Sequence, residues 1–270
     1  MKFEQEDKHL CIKKIVGVCR AISGTPHPKN YTSAIIAAAG LSERFGGDVT
    51  KQMTELRGMP LLIHTLKAFE ETDCIHEIIL VAKINEIPAW EQLCRQYEIT
   101  KLSCVVQGGY TRQDSVLNGL DAVNKKSKFV AIADGARCLI TPEQIKLVCR
   151  AAYKYKAATA AHRSTDTVKI ADKKGFIDNT ADRDTVWLAQ TPQVFKTKLY
   201  RAAAYTALKK GYKATDDNAL VENVGHPIRL VECGAQNIKI TTREDIAVAE
   251  GILADRERIA KLYADSEADQ

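Results

Sequence analysis

From Tyr31 onward the chain alternates short, nearly continuous apolar runs with longer segments whose apolar residues recur at helical spacing. The short runs are SAIIAAA, EIILVA, LSCVVQ and KFVAIAD, at positions 33–39, 77–82, 102–107 and 128–134. Such runs are typical of strands covered on both faces of a sheet. Because segments of helical period separate them, the pattern predicts an α/β fold, a three-layer α/β/α sandwich around a mainly parallel, Rossmann-like sheet.

The rhythm changes after a helix predicted near 142–155. Short extended pieces follow, broken by the turn signal Lys173-Lys174-Gly175. They predict a β-arm at about 163–187 that is inserted into the fold. Regular alternation then resumes and ends in a helix, so we expect one domain over 31–270.

Residues 1–30 differ in character from the rest of the chain. They begin with polar and acidic residues, which disfavours a targeting peptide, and end in the turn-rich GTPHPKN. Apolar residues in between fall at helical spacing: Ile12, Ile15, Val16, Cys19 and Ile22. We expect an N-terminal extension that is poorly ordered or forms a short helix.

Composition narrows the class of protein. With 45% hydrophobic and 27% charged residues, the chain resembles an ordinary globular protein, and no apolar run approaches the roughly 20 residues that span a bilayer. The net charge of +5 comes from basic residues interleaved with acidic ones, which favours small phosphate-bearing ligands over nucleic acid. Eight cysteines without a CxxC pair indicate reduced, mostly buried thiols of a cytoplasmic protein. Since no apolar run is long enough to span a bilayer, we expect no membrane partner.

Candidate chemistry begins after the first predicted strand, in the loop from Ala38 to Lys51. Small residues at Ala38, Ala39 and Gly40 would let the backbone approach a ligand and direct N–H groups at phosphate oxygens. Arg44 and Lys51 would add positive charge. The loop therefore predicts a triphosphate site, although a tight turn with solvated basic residues has the same pattern.

Two common phosphate-binding patterns are excluded by spacing. The dinucleotide fingerprint GxGxxG fails because Ser42 stands at the second glycine. The Walker pattern fails because Gly47, and not lysine, follows Gly46.

Seven stretches in fixed order carry a more specific signal. They are AAAGLSERFG with KQ, GGYTRQDSV, IADGAR, DTVK, AQTPQVF, TDDNALVE and NIKITT. With them the chain from about Tyr31 to Ile259 resembles the bacterial 2-C-methyl-D-erythritol 4-phosphate cytidylyltransferases, within the sugar-nucleotide transferase superfamily. The resemblance implies a homodimer formed through the β-arm. It also implies CMP transfer from CTP to a sugar-alcohol phosphate in non-mevalonate isoprenoid synthesis, with Mg²⁺ bound mainly through the CTP phosphates.

The resemblance assigns Gly108, Gly109 and Ser115 to recognition of cytosine. A strand followed by two glycines and a helix could frame a flat base, and a serine hydroxyl could hydrogen-bond to it. By pattern alone, a strand–turn–helix junction capped by Asp114 or Ser115 is the favoured interpretation.

Asp134 ends an apolar strand, where an α/β fold presents functional carboxylates. The resemblance places it beside the substrate hydroxyls and the magnesium-bound triphosphate, with Arg137 holding Asp134 or the loop. A helix-capping aspartate is the alternative. The chain departs from the family at Gly135 and Cys138, where alanine and proline are usual, and we interpret both as changes in loop geometry.

On the acceptor side, the resemblance assigns Thr167 and Arg183 of the arm to the substrate of a partner subunit. Thr191 and Lys239 match the pocket for the acceptor's phosphate. A phosphate monoester carries nearly two negative charges at neutral pH, so cations and a hydroxyl are the groups expected around it.

The acceptor phosphate is already ionised, so the reaction needs no general base. Catalysis would come from positioning and electrostatic stabilisation. We assign Arg44 and Lys51 to charge in the transition state, and Arg183 and Lys239 to aiming the acceptor.

Two other functions compete with this one. Ribitol 5-phosphate cytidylyltransferases share the QTPQ and IKITT elements, but TDDNALVE and Trp187 favour methylerythritol phosphate as acceptor. A non-catalytic nucleotide-binding module is disfavoured because the charged candidate residues are all retained.

Overall fold

The structure is a computed structural model that describes residues 29–40, 45 and 50–268. The predicted helix near residues 12–22 and the site residue Arg44 lie outside the described residues, as do Ser42, Gly46 and Gly47.

Eleven strands occur in the described part of the chain. Their bounds are β1 Thr32–Ala37, β2 Glu55–Leu56, β3 Met59–Pro60, β4 Glu77–Ala82, β5 Leu102–Gln107, β6 Phe129–Asp134, β7 Ala157–Arg163, β8 Lys169–Ala171, β9 Ile177–Thr180, β10 Trp187–Lys196 and β11 Arg229–Glu232. Seven of them form the central sheet in the order β11-β7-β10-β6-β1-β4-β5. All four apolar runs of the sequence are strands of this sheet.

The central sheet is mixed, with a single reversed strand. Strand β1 pairs in parallel with β4 and β6, β4 with β5, and β7 with β11. Strand β10 is antiparallel to both of its neighbours, β6 and β7. The predicted α/β fold with a mainly parallel sheet is confirmed, and β10 runs backwards because the chain returns through the arm.

Helices cover both faces of the sheet. They are α1 Leu61–Glu70, α2 Ile87–Gln96, α3 Arg112–Ala122, α4 Pro142–Tyr155, α5 Thr197–Lys210, α6 Asp217–Glu222 and α7 Glu244–Ala268. Neighbouring residues of β1 point to opposite faces. Ile36 packs in a core with α1, α2 and α4, whereas Ile35 packs in a core with α3, α5 and α6. These two cores make the sandwich three-layered, as predicted.

The predicted arm lies between β7 and β10. Strands β8 and β9 pair as an antiparallel hairpin, and every residue of both strands is exposed. Gly175 sits in the turn with a φ of 86°, a left-handed conformation that favours glycine.

Two further observations bear on the class of protein. Among the helices that the structure describes, none has the length and apolar character needed to cross a membrane. The six cysteines in the described part of the chain are free thiols, and five of them are buried.

Candidate functional site

The carboxyl ends of four parallel strands meet at one edge of the sheet. Ala37 at the end of β1 is in register with Asp134 of β6 and with Val81 of β4. Ala82 of β4 is in register with Gln107 of β5. The segments that follow these strands carry most of the predicted site residues, and this edge is where α/β sheets bind ligands.

Asp134 is the centre of the site and is almost completely buried. Its Oδ2 lies 2.8 Å from Nζ of Lys239, and its Oδ1 accepts a hydrogen bond of 3.1 Å from Nε of Arg112. Its main-chain N–H donates to Oγ1 of Thr191 at 3.0 Å. The structure therefore brings together Asp134, Thr191 and Lys239, which the sequence placed on three separate motifs. With Arg112 and Arg137 we call these residues the strand-edge cluster.

The cluster keeps Asp134 ionised. Burial raises the pKa of the Asp134 carboxyl, but the charges of Arg112 and Lys239 outweigh burial and lower the pKa to about 2. The carboxylate is therefore fully charged at neutral pH. A carboxylate this buried depends on its cationic partners, because an unpaired buried charge would strongly destabilise the fold.

Arg112 is a site residue that sequence reasoning missed, although it lies within GGYTRQDSV. Nη1 of Arg112 is 2.7 Å from Oδ2 of Asp217, a buried residue of TDDNALVE that was also missed. The hydroxyl of Tyr200 donates to the other carboxylate oxygen of Asp217. A cation at the first residue of a helix is unfavourable with respect to the helix dipole. The position of Arg112 at the start of a predicted helix could therefore have indicated that it pairs with carboxylates.

The start of α3 is fixed by a capping box, which sets the position of Arg112. The Thr111 side chain accepts from the Asp114 N–H at 3.0 Å, and the Asp114 carboxylate accepts from the Thr111 N–H at 3.1 Å. The capping residue is therefore Thr111, and the predicted caps Asp114 and Ser115 lie inside the helix.

Arg137 holds the segment that carries Lys239. Its Nη1 donates to the main-chain oxygen of Asn237 at 2.6 Å, and its own N–H donates to the oxygen of Asp134 at 3.1 Å. Nδ2 of the buried Asn237 in turn donates to the main-chain oxygen of Thr191 at 3.0 Å. Burial lowers the pKa of Arg137 while Asp134 raises it. Arg137 thus links the loop after β6 to the segment before Lys239.

Gly108 and Gly109 are required by packing around the segment after β5. A Cβ atom on Gly108 would lie 2.2 Å from Cβ of Ala39, and one on Gly109 would lie 2.3 Å from Cβ of Asp114. Oγ of Ser115 accepts from the Gly109 N–H at 3.0 Å and donates to the oxygen of Thr111 at 2.9 Å. The serine hydroxyl therefore shapes this loop, and contact with a base stays a prediction.

The loop after β1 differs from expectation at one position. Ala38 is buried, and its N–H donates to the main-chain oxygen of Val81 at 2.8 Å. This N–H belongs to the sheet and is not available to a phosphate, so the expectation was wrong for Ala38. Ala39 and Gly40 follow beyond the end of the strand. Lys51 is buried at the start of the short 3₁₀ helix Lys51–Met53.

Gly135 shows what its departure from the family's alanine does locally. A Cβ atom there would lie 2.7 Å from Cδ1 of Leu62 and 3.3 Å from the main-chain oxygen of Ala37. Oγ1 of Thr65 donates to the main-chain oxygen of Gly135 at 3.0 Å. Glycine thus lets α1 pack closely against the loop that follows Asp134. Cys138 is buried in the core beside α7.

Thr167 and Arg183 are not part of the strand-edge cluster. Both are exposed on the arm, Arg183 in the short 3₁₀ helix Arg183–Thr185. Among the described residues, no side chain forms a hydrogen bond or an ion pair with the guanidinium of Arg183. Within one chain the structure does not bring these two residues to Asp134.

A magnesium ion at this edge would depend on oxygen atoms from its substrate. In the described part of the chain, no three His, Cys, Asp or Glu side chains lie close enough to hold a metal. Asp134 supplies one ionised carboxylate, and Mg²⁺ commonly uses one or two carboxylates with substrate phosphates and water. The residues therefore fit an ion that arrives with a triphosphate.

Comparison with known proteins gives a consistent result. Residues 32–255 match the family model described as IspD, 2-C-methyl-D-erythritol 4-phosphate cytidylyltransferase. A protein of that name from Caldanaerobacter subterraneus subsp. tengcongensis is 44% identical over 219 residues, which are 81% of this chain and 96% of the relative. Another, from Alkaliphilus oremlandii, is 42% identical over 226 residues, with 83% of this chain and 96% of the relative covered.

Solved structures show the same likeness. A 4-diphosphocytidyl-2C-methyl-D-erythritol synthase from Anaerococcus prevotii superposes with a TM-score of 0.76 at 34% identity, covering 83% of this chain and 96% of its own. A 2-C-methyl-D-erythritol 4-phosphate cytidylyltransferase from Thermus thermophilus gives a TM-score of 0.68 at 29% identity, covering 82% and 98%.

Proposed function

Because this chain belongs to the 2-C-methyl-D-erythritol 4-phosphate cytidylyltransferase family, we propose that it transfers CMP from CTP to 2-C-methyl-D-erythritol 4-phosphate. The products are 4-diphosphocytidyl-2-C-methyl-D-erythritol and pyrophosphate. Membership rests on the family model, which spans residues 32–255, and on relatives more than 40% identical over most of the chain. The names of these relatives favour methylerythritol phosphate over ribitol 5-phosphate as the acceptor.

The observation that carries the proposal is the convergence of Lys239 and Thr191 on Asp134. Lys239 contributes a cation 2.8 Å from the carboxylate, and 41% of its side chain is exposed. Thr191 uses its oxygen as an acceptor for Asp134, which leaves its own O–H free to donate. A lysine and a hydroxyl donor beside each other suit the phosphate group of an acceptor.

The chemistry requires no proton transfer to start. A phosphate oxygen of the acceptor attacks the α-phosphorus of CTP, a new P–O bond forms, and the bond to the leaving pyrophosphate breaks. Negative charge moves onto the α-phosphate oxygens and the leaving group, so cations stabilise the transition state. We assign this stabilisation to Arg44 and Lys51, and the orientation of the acceptor to Lys239.

Mg²⁺ is the expected cofactor, and when bound it would neutralise charge on the triphosphate oxygens. Asp134 is the carboxylate that this edge offers to such an ion or to its bound water. Its low pKa means that it is ionised over the whole working range of pH.

We further propose that the enzyme works as a homodimer in which each arm reaches the partner's site. Arg183 and Thr167 are exposed and lie outside the cluster, and Arg183 has no side-chain partner among the described residues. The hairpin also exposes large apolar side chains, with Phe176 71% and Ile177 64% exposed. A second chain would cover these side chains and would place Arg183 near an acceptor phosphate.

A cytoplasmic location completes the proposal and is supported by the free, mostly buried cysteines. The decisive experiment measures pyrophosphate release from CTP and Mg²⁺ with each acceptor. Release with 2-C-methyl-D-erythritol 4-phosphate is expected. Release only with ribitol 5-phosphate would transfer the chain to the alternative activity, and release with neither would favour a nucleotide-binding module.

A further inference from the structure

One guanidinium group joins three elements of the fold beside the proposed acceptor site. Arg112 is the first residue of α3. Its Nε contacts Asp134 at the end of β6 at 3.1 Å, and its Nη1 contacts Asp217 at the start of α6 at 2.7 Å. Two different nitrogen atoms of one side chain therefore bind carboxylates from separate parts of the chain.

The Asp217 end of this arrangement lies among buried residues. The Asp217 side chain is 1% exposed, and its second oxygen accepts a hydrogen bond from the hydroxyl of the buried Tyr200. Tyr200 stacks on Phe195 with the ring centroids 5.2 Å apart. Arg112 is thus anchored to the core through Asp217, while its Nε contacts Asp134.

Asp134 divides its charge between two cations. Oδ1 binds Arg112 and Oδ2 binds Lys239, so each carboxylate oxygen has its own partner. Without Arg112, Lys239 would be the nearest cation left to this buried carboxylate, and their attraction would strengthen. A lysine bound more tightly to Asp134 is less able to turn toward an incoming phosphate.

We propose that Arg112 is a positioning residue for CMP transfer, which fixes Asp134 and shares its charge so that Lys239 can engage the acceptor's phosphate. The inference rests on the proposed function, since it specifies how the same site handles its second substrate. A lysine could not replace Arg112, because its single ammonium group lacks the planar fork that binds both carboxylates at once.

The test compares Arg112→Met and Arg112→Lys with Arg201→Met. Arg201 is a matched control, because its Nη1 also pairs with a carboxylate, Asp121, at 3.0 Å, but away from the cluster. For Arg112→Met, we expect kcat/KM for the acceptor to fall on the order of 10²-fold, the scale of a misplaced reacting group. KM for CTP should change much less, Arg112→Lys should recover only part of the loss, and Arg201→Met should stay within about twofold.

Thermal unfolding separates positioning from a general loss of structure. If Arg112→Met does not fold, Arg112→Lys and Tyr200→Phe make the same comparison with smaller changes. A double variant adds a second readout: if Asp217 acts through Arg112, Asp217→Asn should cost little more in Arg112→Met than Arg112→Met costs alone.

Several results would overturn the inference. The first is a folded Arg112→Met with the kinetics of the wild type. The second is a rise in KM for CTP as large as the loss in kcat/KM for the acceptor. The third is full recovery of activity in Arg112→Lys. Failure of the proposed function itself would look different, because the wild-type chain would then release no pyrophosphate with 2-C-methyl-D-erythritol 4-phosphate.

Discussion

The strand-edge cluster and the arm are built in opposite ways, although both carry residues predicted to hold the acceptor. In the cluster, Asp134 is buried and each of its oxygens has a cationic partner. In the arm, both strands of the hairpin are exposed, and Arg183 has no side-chain partner among the described residues. One chain therefore completes the cluster by itself, whereas the role proposed for the arm depends on a second chain.

The largest effect is expected at Lys51, which is buried, as Asp134 is and the arm hairpin is not. Lys51→Ala should lower kcat on the order of 10²–10³-fold, the scale for losing one donor that stabilises transition-state charge. Steady-state pyrophosphate release measures it, with Lys209→Ala on the exposed face of α5 as the control. Turnover near that of the wild type in Lys51→Ala would remove this lysine from the mechanism.

The next largest effect on activity is expected from variants that test the role of the arm. Arg183→Ala and Lys239→Ala should each be strongly impaired, because each removes a cation expected at the acceptor phosphate. When the two variants are mixed and allowed to exchange subunits, a mixed dimer has one site with both cations intact. Activity should then recover to about a quarter of the wild-type value, from the statistics of a two-fold dimer. Recovery no greater than the average of the parents would mean that the arm serves its own chain.

A smaller effect is expected on the free energy of unfolding, which should respond differently to substitutions beside the cluster and in the arm. Gly108→Ala should lower the free energy of unfolding by about 3 kcal/mol, because the new Cβ would lie 2.2 Å from Cβ of Ala39. Gly175→Ala in the arm, where a Cβ meets no atom within 4 Å, should cost only about 1 kcal/mol for its positive φ. Denaturant unfolding measures both, and equal costs would contradict the difference in packing.

The smallest effect concerns pH. The folded pKa of Asp134, about 2, is below the ordinary value of 3.8. A lowered carboxyl pKa stabilises the fold above the unfolded pKa, and that stability is lost as pH falls through the folded pKa. We expect the free energy of unfolding to fall by about 2 kcal/mol between roughly pH 4 and pH 2. Unfolding measured across this range should depend less on pH in Asp134→Asn, and an identical dependence in both proteins would show that Asp134 is not responsible.

Much of the fold could be predicted from local patterns in the sequence. The four apolar runs are strands, the intervening helical segments are helices, and the turn signal near Gly175 lies in the arm hairpin. These features depend on neighbouring residues, whose periodicity is visible in the chain. The reversed direction of β10 was not expected, because strand direction depends on how the arm returns the chain to the sheet.

The candidate site was predictable to a lesser degree. The motifs indicated Asp134, Thr191 and Lys239, which the structure brings together, but the availability of the Ala38 N–H was misjudged. That N–H is taken by the main-chain oxygen of Val81, because the bonding between β1 and β4 continues for one residue beyond Ala37, the last residue of β1. Motif reading identifies residue types, whereas hydrogen-bond partners depend on register.

By itself the sequence determined the order of helices and strands, the family and the residue types of the site, because these depend on local periodicity and on motifs. Only the tertiary structure decided that Arg112 binds Asp217, a residue 105 positions away, and shares Asp134 with Lys239. Contacts of this kind depend on strand order and on the burial of each carboxylate. Burial makes an unpaired charge so unfavourable that every buried carboxylate in this region must find a partner, wherever the chain provides one.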